Sequence, residues 1–309
     1  MLDRDHLETF ATVAEEQSFE RAATQLNITR GAVSQRIRSL EESLASVLLV
    51  RERPVVATAA GEVLLRHVKA LRLLEASTLR ELNPAPDATA AVPMAIAVNA
   101  DSLATWFPAV LQQLQRERRV ALEIVTDDQD HTSARLIRGE VVGCISTDAK
   151  AASGFVAEAL GSMEYRCYAN PEFASEFLPA GLSVPAVLSA AAVLFNRKDS
   201  LHDEFLARHF GFAVDRYPKH YLPSPMALLE GVAMGLGYGL IPSAQAGPLL
   251  AAGRLVEVAA EKPALVDLYW HHWEAEPPLA REISHLVVDQ ARRHLLPCEP
   301  PSAELAQAA

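Results

Sequence analysis

Cysteine is scarce in this chain: there are three in 309 residues, Cys144, Cys167 and Cys298, an odd number with no C-x-x-C pair. Such spacing signals neither a disulfide framework nor a zinc site. Long apolar runs are lacking too. Ser183 to Phe195, the longest, is broken by Pro185 and falls short of the roughly 18 residues a membrane span requires. The opening residues Asp3, Arg4, Asp5 and His6 do not form a signal peptide, so a cytoplasmic protein with no membrane partner is expected. The sequence has no Gly-x-Ser-x-Gly elbow, Walker loop or His-Glu-x-x-His, and no catalytic residue, cofactor or metal ligand is assigned. Gly235, Gly237 and Gly239 are spaced like a dinucleotide loop, but they follow a helical stretch and precede a strand, the reverse of the required order. They read as a helix end and a close turn. His271 and His272 lack a partner at ligand spacing and read as structural.

The chain is 50% hydrophobic and 22% charged, which fits a globular protein, and its length predicts two or three domains. A net charge of −11 argues against a polyanionic partner until its distribution is considered. Residues 1 to 58 carry seven arginines against nine acidic residues, and five of the seven fall between Arg30 and Arg53. One face of this segment is therefore expected to be basic. The acidic excess lies mostly beyond residue 91 and suits a cationic small ligand, or simply solubility.

Leu7, Phe10, Ala11 and Ala14 recur at helical spacing, predicting an amphipathic first helix. Ser18 starts a second, short helix through Phe19, Ala22, Ala23 and Leu26, ended by Asn27. Thr29 is placed to cap a third, which buries Ala32, Val33, Ile37, Leu40 and Leu44. Three helices with short turns in 45 positions fit a helix-turn-helix unit. The opposite side of the third helix carries Arg30, Gly31, Ser34, Gln35 and Arg38, residue types that reach bases and phosphates, although a solvated polar face fits that pattern equally. Leu48, Leu49 and Val50, then Arg51, Glu52, Arg53 and Pro54, then Val55 and Val56, read as a two-stranded wing with arginines at its tip. The wing favours a contact with duplex DNA over the bland alternative.

From Ser18 to Gly61 the sequence resembles the LysR-type transcriptional regulators. The resemblance is carried by Ser18-Phe19, Ala22-Ala23, Leu26, Ala32-Val33-Ser34-Gln35-Arg36-Ile37, Leu40-Glu41, Arg51 and Thr58-Ala59-Ala60-Gly61. Arg30-Gly31 depart from the Gln-Ser usual in the family ahead of the Ala-Val-Ser motif. The resemblance implies an α+β architecture: a winged helix-turn-helix at 1–60, a linker and dimerisation helix with hinge at 61–90, and an effector-binding domain at 91–296. The last is two-lobed α/β, of periplasmic-binding-protein type, with lobe I at 91–163 and 267–296 and lobe II at 164–266. It implies promoter DNA contacts from Ser18, Thr29, Arg30, Gly31, Ser34, Gln35, Arg38, Arg51 and Arg53. Homodimers paired through the linker helix, further assembly to tetramers, and contact with RNA polymerase are implied as well.

The residues beyond the head agree with that division. Leu64, Val68, Leu71, Leu74, Thr78 and Leu82 form an apolar stripe over a long helix, and Pro84, Pro86 and Pro93 mark a hinge. Strand-like and helical runs then alternate: Met94–Val98, Leu103–Arg116, Ala121–Val125, Ser133–Arg138 and Val141–Ser146 predict parallel strands with crossover helices. A second unit spans about residues 165–258 with a helix at Pro225–Met234, and Val266–Trp270 and Leu279–Leu295 return to the first. The tail from Pro297 to Ala309, rich in Pro, Ala and Glu, is expected to be disordered.

Ligands of such sheets bind beyond the carboxyl ends of strands. Asn99, Asp101 and Ser102 stand at the first such exit, with Ser102 expected to cap the helix and help bind a carboxylate, and Asp101 to face an ammonium group. A plain N-cap explains the same residues. At the second exit, Asp127, Asp128 and Asp130 put three carboxylates within four residues. A cationic ligand fits them, as do calcium and an ordinary solvated turn. With Arg138-Gly139-Glu140, Phe195-Asn196-Arg197-Lys198-Asp199 and Leu268-Tyr269-Trp270, these exits resemble the lysine and arginine export regulators within the family. That narrower resemblance implies an activator of a basic amino-acid exporter gene whose effector is lysine or arginine, with histidine a further candidate. Asn99, Asp101, Ser102, Asp127, Asp128, Asn196, Asp199 and Ser224 are its candidate effector residues. A regulator sensing another metabolite, or a solute-binding protein or enzyme with an N-terminal interaction module, are the competing expectations.

Overall fold

The computed structural model describes residues 2–82, 91–117, 120–126, 129–214, 216–259 and 263–298. Asp127 and Asp128, residues 83–90 of the expected hinge and the tail from residue 299 lie outside the described residues. Three helices open the chain: α1 (Arg4–Glu16), α2 (Phe19–Gln25) and α3 (Arg30–Leu44). Each begins on a side-chain cap, since Asp3, Ser18 and Thr29 accept from the backbone N–H groups of His6, Arg21 and Ala32. Phe10, Val13, Ala22, Val33, Ile37 and Leu40 converge in one core with Leu48 and Leu49. The wing is β1 (Leu49–Val50) paired antiparallel with β2 (Val56–Ala57).

Helix α4 (Ala59–Leu82) divides its apolar stripe in two. Leu64 and Val68 are buried on the N-terminal core and Leu71 packs against it, whereas Leu74 and Leu82 are 46% and 71% exposed. The first half thus packs on the N-terminal unit, while in the second half Leu73 is buried in the core of the larger part, with Ala70 and Ala76 against it, and Leu74, Leu79 and Leu82 face outward. Arg72 ties α4 to α1 through Glu8 at 2.7 Å and Glu15 at 2.9 Å.

The larger part follows in chain order as β3 (Val92–Ala97), α5 (Ala100–Ala104), α6 (Phe107–Glu117), β4 (Val120–Val125), α7 (Gln129–Ile137), β5 (Gly143–Ser146) and β6 (Phe155–Ala169). Next come α8 (Pro171–Phe177), α9 (Val184–Ser189), β7 (Ala192–Leu194), α10 (Leu201–Phe210), β8 (Lys219–Tyr221), α11 (Pro225–Ala233), β9 (Gly239–Pro242) and α12 (Ser243–Ala251). Finally β10 (Val256–Glu257), β11 (Ala264–Trp273) and α13 (Pro278–His294) close the fold. Strands β4, β3 and β5 are parallel, as expected, but β11 and β6 add antiparallel, so the sheet is mixed. The expected helix at Leu103–Arg116 is two helices, because Thr105 leaves helical geometry at φ −116°, ψ −81°.

Strand β6 is the spine of this part. It pairs with β11 from Phe155 to Tyr165, and from Tyr165 onward with β9 and β10, so one strand runs through both lobes. The main core holds Trp270, Phe107, Ile96 and Ile145, and a smaller cluster of Tyr168, Val193, Leu229, Val232 and Ile241 fills the far lobe. Gly235 lies just beyond α11 at φ +84°, and a Cβ on Gly237 would stand 2.3 Å from the Ala191 carbonyl oxygen. The glycine triplet therefore ends a helix and admits a close backbone, as its order indicated. His271 meets the Asp148 carbonyl at 2.7 Å, while His272 pairs with the buried Glu276 at 3.2 Å.

Gly61, in the first turn of α4, fixes how that helix meets the wing. A Cβ there would sit 2.2 Å from the Leu48 carbonyl oxygen, which is backbone and has little freedom to move. We expect Gly61→Ala to destabilise the N-terminal unit by about 1–3 kcal/mol, measured by urea melts. A change below about 0.5 kcal/mol would show that the helix can tilt freely at this point.

Candidate functional site

Two surfaces gather the candidate residues. On the first, α3 presents Arg30, Gly31, Gln35 and Arg38 to solvent, with Ser34 partly covered. The arginines are not equivalent. Arg36 donates to Asp5 at 3.1 Å and Thr9 at 3.2 Å, so it ties α3 to α1. Arg30 pairs with Glu20 at 3.0 Å, and Arg51 pairs with Glu41 at 3.1 Å while lying 5.8 Å from the Phe19 ring centre. Arg38 has no hydrogen bond or ion pair among the described residues and is exposed. Arg53 is exposed at the wing, where Glu20 is the carboxylate whose pKa its charge helps to lower. Ser18 and Thr29 use their hydroxyls as helix caps, which positions α2 and α3.

The second surface lies where the lobes meet. Helix α11 packs on α5, and the Tyr165 hydroxyl on β6 donates to Asp101 Oδ2 of α5 at 2.7 Å. Asp199, just after β7 in the other lobe, acts electrostatically on both members of that pair. Burial raises the Asp101 pKa, the Tyr165 hydrogen bond opposes the rise, and the Asp199 charge adds to it. Asp199 is raised by burial as well, against bonds from backbone N–H groups that include Leu201 at 3.0 Å. Two carboxylates from different lobes thus hold costly negative charge at one place.

The expectation for Ser102 needs correction. Asn99 stands at the N-cap of α5 and Ser102 lies inside the helix, fully buried. Its hydroxyl, Asn99 Oδ1 and Trp106 Nε1 have no hydrogen-bond partner, so three buried polar atoms on successive turns are left unsatisfied. An unpaired buried polar group is expensive, and such groups beside a cleft suit a polar ligand. Asn196 also builds the turn that presents Asp199, since its Oδ1 accepts from the N–H groups of Lys198 at 2.7 Å and Asp199 at 3.0 Å. Ser224 caps α11 by accepting from Ala227 at 3.4 Å. Tyr165 and Trp106 were missed from the sequence. Their alternation with apolar neighbours marks them as core, and nothing local shows that Tyr165 would face a carboxylate 64 positions away.

Two open grooves lie elsewhere. One of about 360 Å³ is lined by Gln113, Leu279 and Asp289, and one of about 290 Å³ by Ser133, Lys150 and Phe155. Neither is lined by a buried polar atom left without a partner among the described residues. The chemistry, rather than the open volume, singles out the cleft.

Residues 4–62 match the family described as bacterial regulatory helix-turn-helix protein, lysR family, and residues 93–292 match the LysR substrate binding domain. The chain is 38% identical to the HTH-type transcriptional regulator ArgP of Aeromonas salmonicida, over 96% of this chain and 99% of that one. Among solved structures it is similar to ArgP from Mycobacterium tuberculosis, with 35% identity and a TM-score of 0.87 over 96% of this chain and all of that one. It is also similar to full-length LysG from Corynebacterium glutamicum with bound effector arginine, at 32% identity and a TM-score of 0.80, with the same coverage.

Behind Asp199, His202 on α10 is buried against Tyr217 and Tyr238 with neither ring nitrogen bonded. Burial lowers its pKa from 6.5 to about 4. The unfolded chain therefore binds more protons between these two values, and stability falls as pH drops through that window. We expect a loss of about 2 kcal/mol by pH 5 relative to pH 7.5 that His202→Phe abolishes, read from urea melts. Parallel losses in both proteins would remove His202 as the cause.

Proposed function

The chain belongs to the LysR family of helix-turn-helix regulators, and from that premise we propose that it is a ligand-responsive, DNA-binding transcriptional regulator that activates a basic amino-acid exporter gene when lysine or arginine accumulates. The observation that carries the effector assignment is the pair Asp101 and Asp199, from separate lobes, in an incompletely satisfied polar cleft. Burying a guanidinium or ammonium group requires a countercharge, and here the countercharge is already buried. The arginine bound by the related LysG supports the same choice, with lysine and histidine as further candidates. Asn99, Ser102, Asn196 and Ser224 complete the proposed site, and Asp127 and Asp128 belong to it on sequence grounds.

Promoter DNA is the proposed partner of α3 and the wing, through Arg30, Gly31, Ser34, Gln35 and Arg38, and Arg51 and Arg53, with Ser18 and Thr29 at the helix starts. Dimers through the exposed Leu74, Leu79 and Leu82 of α4 would place paired recognition helices about one helical turn, roughly 34 Å, or a multiple apart. Tetramers, contact with RNA polymerase and a cytoplasmic location belong to the same proposal. No helix of the described residues is long and apolar enough to cross a membrane. The proposed activity is regulation and not catalysis.

Calorimetric titration with arginine, lysine, histidine and citrulline tests the effector. We expect Asp199→Asn to weaken arginine binding by about 30-fold and binding of uncharged citrulline by less than about threefold. Equal losses would remove the charge-pairing basis. For DNA, Arg38→Ala should weaken operator binding and reduce the slope of log affinity against log salt by about 0.9. Arg36→Ala should instead lower the stability of the N-terminal unit, and an unchanged salt slope in Arg38→Ala would exclude a phosphate contact there.

A further inference from the structure

We propose that Tyr165 is the positioning residue of the effector cleft: its hydroxyl fixes the Asp101 carboxylate and keeps it anionic, and thereby sets the discrimination between cationic and neutral amino acids. This rests on the reading of the cleft as a basic amino-acid site.

Tyr165 occupies the register position at which β6 passes from one lobe to the other, opposite Ala264 of β11 and Pro242 of β9. Its side chain is buried, at 6% exposure for the residue, and a buried phenol needs a partner for its proton. Across the cleft floor that partner is Asp101 Oδ2 at 2.7 Å. One oxygen of the carboxylate is thereby held, and Oδ1 has no protein partner among the described residues. A carboxylate fixed at one oxygen presents the other in a set direction, which is what a single charged contact to a ligand requires.

The same bond governs charge. Burial and the negative charge of Asp199 both favour a protonated Asp101, and the Tyr165 hydroxyl is the group that favours the anion. Asp203 and Glu204 of α10 act on Asp199 in the same unfavourable sense. From α11, packed on α5, the sole ionisable group is Glu230, which is paired with Arg254 at 3.0 Å. On α6 the charged positions Arg116 and Glu117 stand at the end remote from α5. Among the described residues no arginine or lysine acts on Asp101, so the phenol is its principal support until a cationic ligand arrives. Without the hydroxyl the balance at Asp101 moves further toward the neutral form, and a neutral carboxyl distinguishes a guanidinium from a ureido group far less well.

The test uses the full chain, with arginine and citrulline titrated calorimetrically between pH 5.5 and pH 8.5. Arginine affinity is expected to fall on the acid side, and Tyr165→Phe to move that fall upward by about one pH unit. At the wild-type midpoint this is about a fivefold loss for arginine, approaching about tenfold at lower pH, with citrulline changed by less than about threefold. In an Asp101→Asn background the same replacement should have less than about a twofold further effect, because its target is gone. A uniform loss for both ligands with an unmoved midpoint would mean that Tyr165 is only structural. Should Tyr165→Phe fail to fold, 3-fluorotyrosine at this position keeps the shape and strengthens the donor. It is then expected to move the fall to lower pH, and an unmoved midpoint overturns the proposal. Silence of the wild-type protein towards arginine, lysine and histidine alike would sink the effector assignment itself, and is separable from a variant that binds with an unchanged profile.

Discussion

Negative charge taken out of water without a cation beside it is the constraint around which the larger part of this protein is organised. Asp101 and Asp199 reach one place from different lobes, and burial disfavours the anionic form of each. The protein tempers that cost without removing it. Backbone N–H groups serve Asp199 and a phenol serves Asp101, and among the described residues no arginine or lysine is hydrogen-bonded or ion-paired to Asp101. Elsewhere the chain neutralises its carboxylates readily: Glu164 and Glu257 share Arg166 at 2.8 Å each, and Glu8 and Glu15 share Arg72. Asp101, held by a phenol rather than by a cation among the described residues, departs from that habit, and on the proposed reading a cationic ligand would complete it.

A signal from that cleft has a continuous physical route to the N-terminal helices. The Arg66 side chain of α4 donates to the Ile137 carbonyl at the end of α7 at 2.5 Å and lies 5.1 Å from the Phe155 ring centre, at the start of β6. Gly139 leaves room for that arginine, since a Cβ there would come within 3.0 Å of Arg66 Cγ. Two turns further along α4, Arg72 holds Glu8 and Glu15 of α1. Helix α4 is therefore gripped at one side by the sensor lobe and at the other by the N-terminal unit. Spatial continuity alone does not amount to allostery, which needs two arrangements that the ligand distinguishes. The ion pairs at Arg72 are only partly buried, and so can be broken and remade at modest cost.

The N-terminal unit was legible in the sequence almost to the residue, because its signals are local. Ser18 and Thr29 cap the helices they precede, and Phe10, Val33, Ile37 and Leu40 form the core that their spacing indicates. The larger part was legible in its alternation of strands and helices but not in its sheet. Strands β6 and β11 pair over ten register positions, and residues a hundred positions apart, such as Ser162 and Asp267, leave no periodic trace of their contact. Ser102 was misread because a serine five residues past a strand looks the same whether it caps a helix or lies within one. The backbone begins α5 at Ala100 and makes Asn99 the boundary. Asp101 is a candidate by its residue type at a strand exit and Asp199 through the narrower resemblance, whereas Tyr165, which hydrogen-bonds to Asp101, has no such mark.

Charge on separate lobes also bears on how binding becomes a signal. A ligand shifts an equilibrium between arrangements only by the difference in its affinity for them. A neutral amino acid that satisfies Asn99 and Ser102 contacts a single helical turn, and gains little from closure of the far lobe. A cation placed between Asp101 and Asp199 converts a repulsion across the cleft into two attractions, and both are available only when the lobes are together. On the proposed reading, the energy that distinguishes closed from open therefore comes from the side-chain charge of the effector, while its backbone groups supply affinity common to both states. Unpaired carboxylates that destabilise the empty cleft are then what makes its occupation informative.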